Sequence, residues 1–268
     1  MLLNTKVNGV AVVINLPGLG EKIYATTKAQ MEVELGRPDV KNREIIANAF
    51  LFALKRSPKA NASDLWHHVV YRLYCDLLPA YRHQDPKQSW VRASGDALEI
   101  TVERIYSAVL RPHGIAIRAL IGKDEKQAAL EAMALSDEVG GSKLDVGLYL
   151  KLEGTERRIF GGVHVKASLA ERVSDDVPAS RAMMRRGYFS PLWTLDVKSF
   201  PPPHGNLINR GELGTPDAPS DKRKYIEQHG SFDNCYSANS RTVPSRGITP
   251  SGKRIYTLNL LEQPDQFA

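Results

Sequence analysis

Two charged residues stand in apolar runs of the chain, and both have side chains that can do chemistry. Lys166 ends the run "IFGGVHVK", and Asp145 follows "SKL" and opens the run "DVGLYLKL". Burying an ammonium in apolar surroundings costs free energy unless the ammonium is paired with an opposite charge or serves a function. A carboxylate can hold a divalent metal ion, while a lysine beside it can polarise a water molecule or an anionic substrate. Such a pair by itself more often lies at the surface than in a site, so a metal-dependent hydrolytic site needs further residues to support it.

A third candidate comes from "SGDALEITVERIYSAVL" at 94–110, which predicts a helix with Ser94 as its N-cap. The apolar stripe of this helix consists of Leu98, Val102, Ile105 and Val109. At about 100° per residue, Glu99 lies on the border between this stripe and solvent, and Glu103 lies further out. Glu99 is therefore the acid that can reach a site beside a sheet.

The elements that must position these residues follow from periodicity and turn signals. Helices are predicted in two segments of 27–56, at 63–78, at 94–110 and near 124–136. Strands are predicted at 114–122, 143–152, 159–168, within 191–200 and at 254–261. The polar turn "EGTERR" joins the second and third of these strands into a hairpin, which brings Asp145 and Lys166 to neighbouring strand ends.

Acidic residues follow the second strand of the hairpin. Pro178 is predicted in the first turn of a helix that ends at Gly187, so Asp175 and Asp176 can be explained as its N-cap as readily as by a site. His164 is predicted to pack or to form a hydrogen bond rather than to bind a metal. The stretch 201–254, rich in Pro, Gly, Ser and Asn, is too long for a simple connection and predicts a functional loop.

The pattern resembles the PD-(D/E)xK type II restriction endonucleases over about residues 90–200. The matching residues are Glu99 at the end of "SGDALE", Asp145 at the end of "KLD", and Lys166 in "HVKAS". His164 replaces the acid that this family has two residues before the lysine. In the group that cuts CCGG-containing sites, such as the AgeI- and BsaWI-like enzymes, that acid is displaced to the following helix. The run "KASLAERVSDD" is similar to the pattern of this group, with Ala170 in place of its first arginine.

The resemblance implies that Mg²⁺ is held by carboxylates and that Lys166 assists the attacking water. The implied metal ligands and catalytic acids are Glu99, Asp145, Glu171 and Asp176. The displaced acid can be Glu171, Asp175 or Asp176, and Glu171 is favoured.

The resemblance also implies contacts with DNA, in which arginine and lysine read guanine or bind phosphates. Candidates for reading bases are Arg172, Arg181, Arg185 and Arg186, and candidates for phosphate contacts are Lys222, Arg223 and Lys224. Arg185 and Arg186 can also be explained as cations that interact with the dipole at the end of a helix.

Composition sets wider bounds. The chain has 268 residues and a formal net charge of +6. This charge is compatible with a polyanionic partner but does not identify one. Its two cysteines, Cys75 and Cys235, have no metal-ligand spacing, which argues against a zinc site and suits a reducing cytoplasm. The sequence shows no apolar run as long as a membrane span.

We therefore predict a single α/β nuclease domain with a restriction-endonuclease-like core, a mixed central sheet flanked by helices. Residues 1–90 are expected to form a mainly helical part, 91–200 the catalytic core, and 201–268 a loop-rich part for DNA contact or dimerisation. The predicted activity is Mg²⁺-dependent cleavage of double-stranded DNA at a short palindrome, CCGG-containing by resemblance, by a homodimer at least on DNA. The alternatives are a structure-specific or repair nuclease of the same fold and a non-catalytic DNA-binding protein.

Overall fold

The computed structural model describes residues 1–7, 10–140, 143–151, 157–170, 172–198, 209–262 and 264–268. Its described strands are β1 Leu2–Val7, β2 Val10–Asn15, β3 Ile115–Ala119, β4 Val146–Lys151, β5 Arg157–Lys166, β6 Leu192–Thr194, β7 Cys235–Ser237 and β8 Ile255–Thr257. Its described α-helices are α1 Glu21–Leu35, α2 Asn42–Arg56, α3 Ala62–Asp64, α4 Tyr71–Arg82, α5 Pro86–Leu110, α6 Lys123–Ala132, α7 Arg172–Arg185 and α8 Asp221–Glu227. A π-helical turn, Leu65–Val70, joins α3 to α4.

Six strands form one mixed sheet in the order β3-β4-β5-β6-β7-β8. The first three pair antiparallel, and β5 to β8 pair parallel. The predicted hairpin of β4 and β5 is confirmed, with Val146 opposite Val163. Strands β1 and β2 form a separate antiparallel hairpin at the start of the chain, ahead of the helices of the part predicted to be mainly helical. The α/β class and the mixed central sheet with flanking helices are confirmed.

Strand β5 lies in the middle of the sheet and is buried on both faces, which explains its apolar sequence. Its two glycines are required by close packing. A Cβ at Gly161 would lie 2.4 Å from the carbonyl oxygen of Phe189, and one at Gly162 would lie 2.1 Å from Cδ1 of Leu144. The middle of β5 is therefore packed closely against its surroundings, and its end, where Lys166 lies, pairs with β6.

Helix α5 packs on β3 and β5 and carries Glu99, which borders its apolar stripe. Ala97, Leu98 and Val102 belong to the largest apolar cluster, which the helices α1 to α5 share with the sheet. Helix α6 packs through Ala129 and Leu130 in a second cluster. Because each helix has its own buried face, both are held rigidly beside the strand ends.

Two predicted helix starts are wrong. Helix α5 begins at Pro86 rather than near Ser94, because the side chain of Asp85 accepts a hydrogen bond from the backbone N–H of Gln88 and caps it. Helix α7 begins at Arg172, so Pro178 lies inside the helix and not in its first turn.

The long segment 201–254 is partly ordered secondary structure. Its described part, 209–254, contains α8 and β7, and β7 adds a strand to the sheet that the sequence did not predict. Among the described residues, none of the helices combines the length and apolar character needed to cross a bilayer.

Candidate active site

Asp145 and Lys166 meet at the end of the β4–β5 hairpin. Lys166 Nζ lies 2.7 Å from Oδ2 of Asp145, and the same oxygen accepts the backbone N–H of Val165 at 2.8 Å. The side chain of Asp145 is 6% exposed and that of Lys166 is 14% exposed. A buried carboxylate with these two donors is held in one orientation.

Asp176 is the acid that helix α7 brings to this pair. Its Oδ2 lies 2.9 Å from Lys166 Nζ, and its side chain is 3% exposed. Asp175, its neighbour in sequence, is 66% exposed on the outer side of the same helical turn. Since the helix begins at Arg172, neither acid is the N-cap that the sequence allowed, and Asp176 faces the lysine.

Glu99 approaches from α5 and is buried, more deeply than its predicted border position. Its Oε1 lies 3.8 Å from the ammonium of Lys126, which is also 3.8 Å from Oδ1 of Asp145. Within the described part of the chain, Oε2 of Glu99 is buried with no hydrogen-bond partner. Lys126 was not among the predicted site residues, because a lysine at position 126 of a polar helix carries no sequence signal.

The buried charges shift one another's pKa values. Burial and the nearby Asp145 raise the pKa of Glu99 to about 8. Burial opposes ionisation of Asp145, but Lys166 and Lys126 outweigh it, and the pKa of Asp145 lies below its ordinary value. Burial likewise opposes the charge on Lys166, but Asp145 and Asp176 outweigh it and raise the pKa of that lysine. Lys166 is therefore a permanent cation in this arrangement.

His164 lies behind the site. Its ring is fully buried, with Nε2 3.0 Å from the hydroxyl of Ser190 and an edge-on contact with the ring of Phe232. Burial lowers the pKa of His164, so the ring is neutral. These contacts agree with the predicted packing and hydrogen-bonding role.

The acids and lysines open into one cleft of about 640 Å³, the active-site cleft, bounded by α5, α6, the end of β5 and the start of α7. A second cavity of about 730 Å³, the adjoining groove, shares Trp90, Val91, Ala167, Ser168 and Ala170 with it. The two cavities thus adjoin through shared walls.

Glu212 fixes the loop that follows Lys166. Its Oε1 accepts hydrogen bonds from the Ser168 hydroxyl at 2.6 Å and from the N–H groups of Leu169 and Ala170 at 3.1 and 2.9 Å. Sequence reasoning missed this residue, since it lies 44 positions from Ser168 in a segment without a motif. The contact holds the entry to α7 and hence the approach of Asp176.

Comparison of the sequence with known proteins assigns the chain to a family. The profile of the BsaWI restriction endonuclease type 2 family matches residues 123–264. The type II restriction enzyme AgeI from Thalassovita gelatinovora is 48% identical over 266 residues, which cover 97% of this chain and 94% of the relative. This chain belongs to the BsaWI family of type II restriction endonucleases.

Comparison of the structure with solved structures supports the same assignment. The crystal structure of the specific restriction endonuclease AgeI–DNA complex superposes with a TM-score of 0.93 at 46% identity, covering 100% of this chain and 97% of that one. The predicted resemblance, restriction-endonuclease fold and enzyme class are therefore confirmed. The chain is a type II site-specific deoxyribonuclease, and the non-catalytic alternative is set aside.

The residues predicted to read bases in this restriction endonuclease lie along α7 and directly after its last residue. Arg181 donates to the Ser231 hydroxyl at 3.1 Å, and Arg185 and Arg186 pair with Glu138. Arg181 and Arg185 line a cavity at the far end of the helix from Asp176. The structure does not bring these arginines to the active-site cleft. Glu171 and the side chain of Arg172 lie outside the described residues.

The three predicted phosphate contacts on α8 have different surroundings. Lys222 lies in the adjoining groove, 3.6 Å from Oε2 of Glu212, and Lys224 pairs with Asp221 on the surface. Arg223 is fully buried; it donates to the carbonyl oxygens of Leu213, Gly214 and Val243 and pairs with Glu227. Its guanidinium therefore has a structural role and is not available to a phosphate.

Restriction endonucleases of this type work with a divalent metal, and the acids here have the matching chemistry. Among the described residues, no group of three or more acids, histidines or cysteines converges closely enough to hold an ion. In the cleft, the ammonium groups of Lys126 and Lys166 lie between the carboxylates. Hard oxygen donors, one of them the orphaned Oε2 of Glu99, fit Mg²⁺ in type.

Proposed function

We propose that this restriction endonuclease hydrolyses double-stranded DNA with Mg²⁺ held by Glu99, Asp145 and Asp176, with Lys166 as the fourth catalytic group. The observation that carries the proposal is the contact of Lys166 with Asp145 at 2.7 Å and with Asp176 at 2.9 Å in an open cleft. This set corresponds to the acids and lysine of the PD-(D/E)xK pattern, with Asp176 as the displaced acid.

The choice of Asp176 rests on burial and distance. Lys143 lies 3.8 Å from both acids, but Asp175 is largely exposed, whereas Asp176 is buried and lies 2.9 Å from Lys166. When bound, a divalent ion supplies Lewis-acid chemistry that makes water nucleophilic near neutral pH and offsets charge developing on the phosphate. The three carboxylates determine where that chemistry takes place.

Lys166 acts as a charge and not as a base. The raised pKa means that its ammonium keeps its proton in the presence of Asp145 and Asp176. A protonated lysine can donate hydrogen bonds to the attacking water and to a phosphate oxygen, and it stabilises the extra negative charge of the transition state. The rigid end of β5 keeps this donor in place.

The adjoining groove is the proposed path of the DNA backbone. Lys87, Lys198 and Lys222 line it, and Trp90 lies on the wall that it shares with the active-site cleft. Lysines on such a path would neutralise phosphates and make binding weaken as salt is raised. Arg181, Arg185 and Arg186 remain candidates for contacts made at a distance from the cleaved phosphate.

The recognition of a palindrome bears on the oligomeric state of the enzyme. A palindromic site calls for a two-fold protein arrangement and one active site for each strand, so we propose a homodimer at least on DNA. We further propose a CCGG-containing site, because the sequence after Lys166 is similar to that of the CCGG-cutting group. Such an enzyme would act in the cytoplasm.

The test is digestion of a fully sequenced plasmid by the purified chain, with Mg²⁺ or with EDTA, followed by mapping of the fragment ends. We expect discrete fragments only with Mg²⁺, all of them ending in one short palindrome that contains CCGG. A smear would favour the structure-specific or repair nuclease of the same fold, which has no fixed sequence preference, and ends without CCGG would overturn the proposed site alone. Light scattering of the protein with and without a duplex of the mapped site would test the dimer.

A further inference from the structure

Lys126 is a second lysine in the active-site cleft, and the resemblance does not account for it. It lies on α6, an element separate from the hairpin and from α5 and α7. Its side chain is 15% exposed, and its ammonium is equidistant, at 3.8 Å, from Oε1 of Glu99 and Oδ1 of Asp145. It therefore lies between two of the carboxylates proposed to hold Mg²⁺.

The two oxygens of Asp145 have different cations. Oδ2 is taken by Lys166 at 2.7 Å and by the backbone N–H of Val165, whereas Oδ1 faces Lys126 at the longer distance. A separation of 3.8 Å is beyond a hydrogen bond, so Lys126 is held there by charge and not by directed bonds. A cation held in this way can be exchanged for another.

The fold fixes Lys126 at this place. The N–H of Leu120 donates to the carbonyl oxygen of Asp145 at 3.0 Å, which ties the start of the segment leading to α6 to the strand end that carries the acid. Glu125 accepts hydrogen bonds from the N–H groups of Ile121 and Gly122 and closes the first turn of α6. Lys126 thus follows a fixed helix start and points its ammonium between the acids.

We propose that Lys126 is a resident counter-ion of the Glu99–Asp145 pair that competes with the divalent metal for these oxygens. The proposal rests on the proposed function, because it assumes that these acids bind the metal. In the absence of metal, Lys126 offsets the negative charge of the buried Asp145 and favours the ionised form of Glu99. A metal that binds to Glu99 and Asp145 must displace its ammonium, so Lys126 sets the metal concentration that the enzyme needs.

The experiment is titration of the purified protein with Mn²⁺ in the absence of DNA, with free Mn²⁺ followed by its electron paramagnetic resonance signal. Lys126→Met keeps the length of the side chain and removes its charge, and we expect it to bind Mn²⁺ at least about tenfold more tightly than the wild type. Lys123→Met removes the same charge from an exposed position on the same helix and should leave the affinity within about twofold. Lys126→Gln, measured alongside, should tighten binding in the same direction.

A fourth variant separates this proposal from the one on which it rests. Asp145→Asn should abolish the Mn²⁺ binding that the titration detects. Binding that survives Asp145→Asn would place the metal elsewhere and overturn both proposals. Binding that Asp145→Asn removes, but that Lys126→Met and Lys126→Gln leave unchanged or weaken, would overturn the role of Lys126 alone.

Discussion

Lys166 and Asp145 are 21 residues apart in sequence, yet their side chains touch at 2.7 Å at the open end of one hairpin. The register of that hairpin accounts for the contact, since Val146 lies opposite Val163 and the residues beyond it continue along the end of β5. The backbone of Val165 holds the same carboxylate oxygen from a second direction. The hairpin therefore places a carboxylate and an ammonium together on the wall of the active-site cleft.

Lys166→Ala should abolish cleavage while leaving sequence-specific binding largely intact. It removes the cation that contacts both Asp145 and Asp176, and we expect cleavage at saturating Mg²⁺ to fall by at least about 10³-fold. Single-turnover cleavage of a duplex with the mapped site measures the loss, and gel-shift binding in Ca²⁺ checks the fold. Lys55→Ala, at an exposed position on α2, should cleave normally. Cleavage near the wild-type rate would remove Lys166 from the proposed site.

Asp176→Asn and Asp175→Asn form a matched pair of adjacent changes. Asp176 is buried against Lys166, and Asp175 is largely exposed, so only the first should act on the reaction. We expect Asp176→Asn to slow cleavage by at least about 100-fold and Asp175→Asn by no more than about threefold. The measurement is single-turnover cleavage over a range of Mg²⁺ concentrations. Equal effects of the two changes would contradict the choice of Asp176 as the displaced acid.

Arg223→Met should destabilise the fold, whereas Lys224→Met should not. The buried guanidinium of Arg223 satisfies three backbone carbonyl oxygens and pairs with Glu227 at 2.5 Å, and its removal leaves these groups without their donor. We expect a loss of about 3–5 kcal/mol, or roughly 10 °C in Tm, against less than about 1 kcal/mol for Lys224→Met. Thermal unfolding followed by circular dichroism measures both. If Tm of Arg223→Met stays at the wild-type value, the structural role of Arg223 is refuted.

The hairpin, and with it the two residues proposed to act in catalysis, could be predicted because their signals are local. Apolar alternation, a polar turn and the position of a charge at a strand end are all visible within about 25 residues. Glu99 was predicted from the helical period of its own segment, although packing of α5 on the sheet buries it further than its position on the stripe indicated.

The rest of the site depends on contacts between distant segments. The choice among the acids after Lys166 turns on where α7 begins, and Pro178 indicated a start too late in the chain, because a proline inside a helix is ordinarily unfavourable. Lys126 and Glu212 reach the site through tertiary packing and stand in no motif. Strand β7 is three residues long in a polar segment, and pairing with β6 and β8 makes it a strand.

Asp196 gives the fold a pH dependence that can be measured away from the metal site. It is fully buried and accepts the N–H of Glu212 at 2.6 Å and the Thr242 hydroxyl at 2.8 Å. Burial raises the pKa of Asp196 from its ordinary value of 3.8 to about 6. Between about pH 4 and pH 6 the folded state therefore binds more protons than the unfolded state, and stability falls as the pH rises through this window.

Asp196→Asn should remove this part of the pH dependence. The amide has the shape of the carboxyl, can still accept from Glu212 and can donate to Thr242, and it carries no charge at any pH. Its free energy of unfolding relative to the wild type should rise from pH 4 to pH 6 by about 3 kcal/mol and stay level above pH 6. Urea unfolding at half-unit pH intervals measures this difference, with the exposed Asp217→Asn as a control that should show no such rise. A difference that is flat across pH 4 to pH 6 would mean that Asp196 titrates alike in the folded and unfolded chains, and its raised pKa would have to be abandoned.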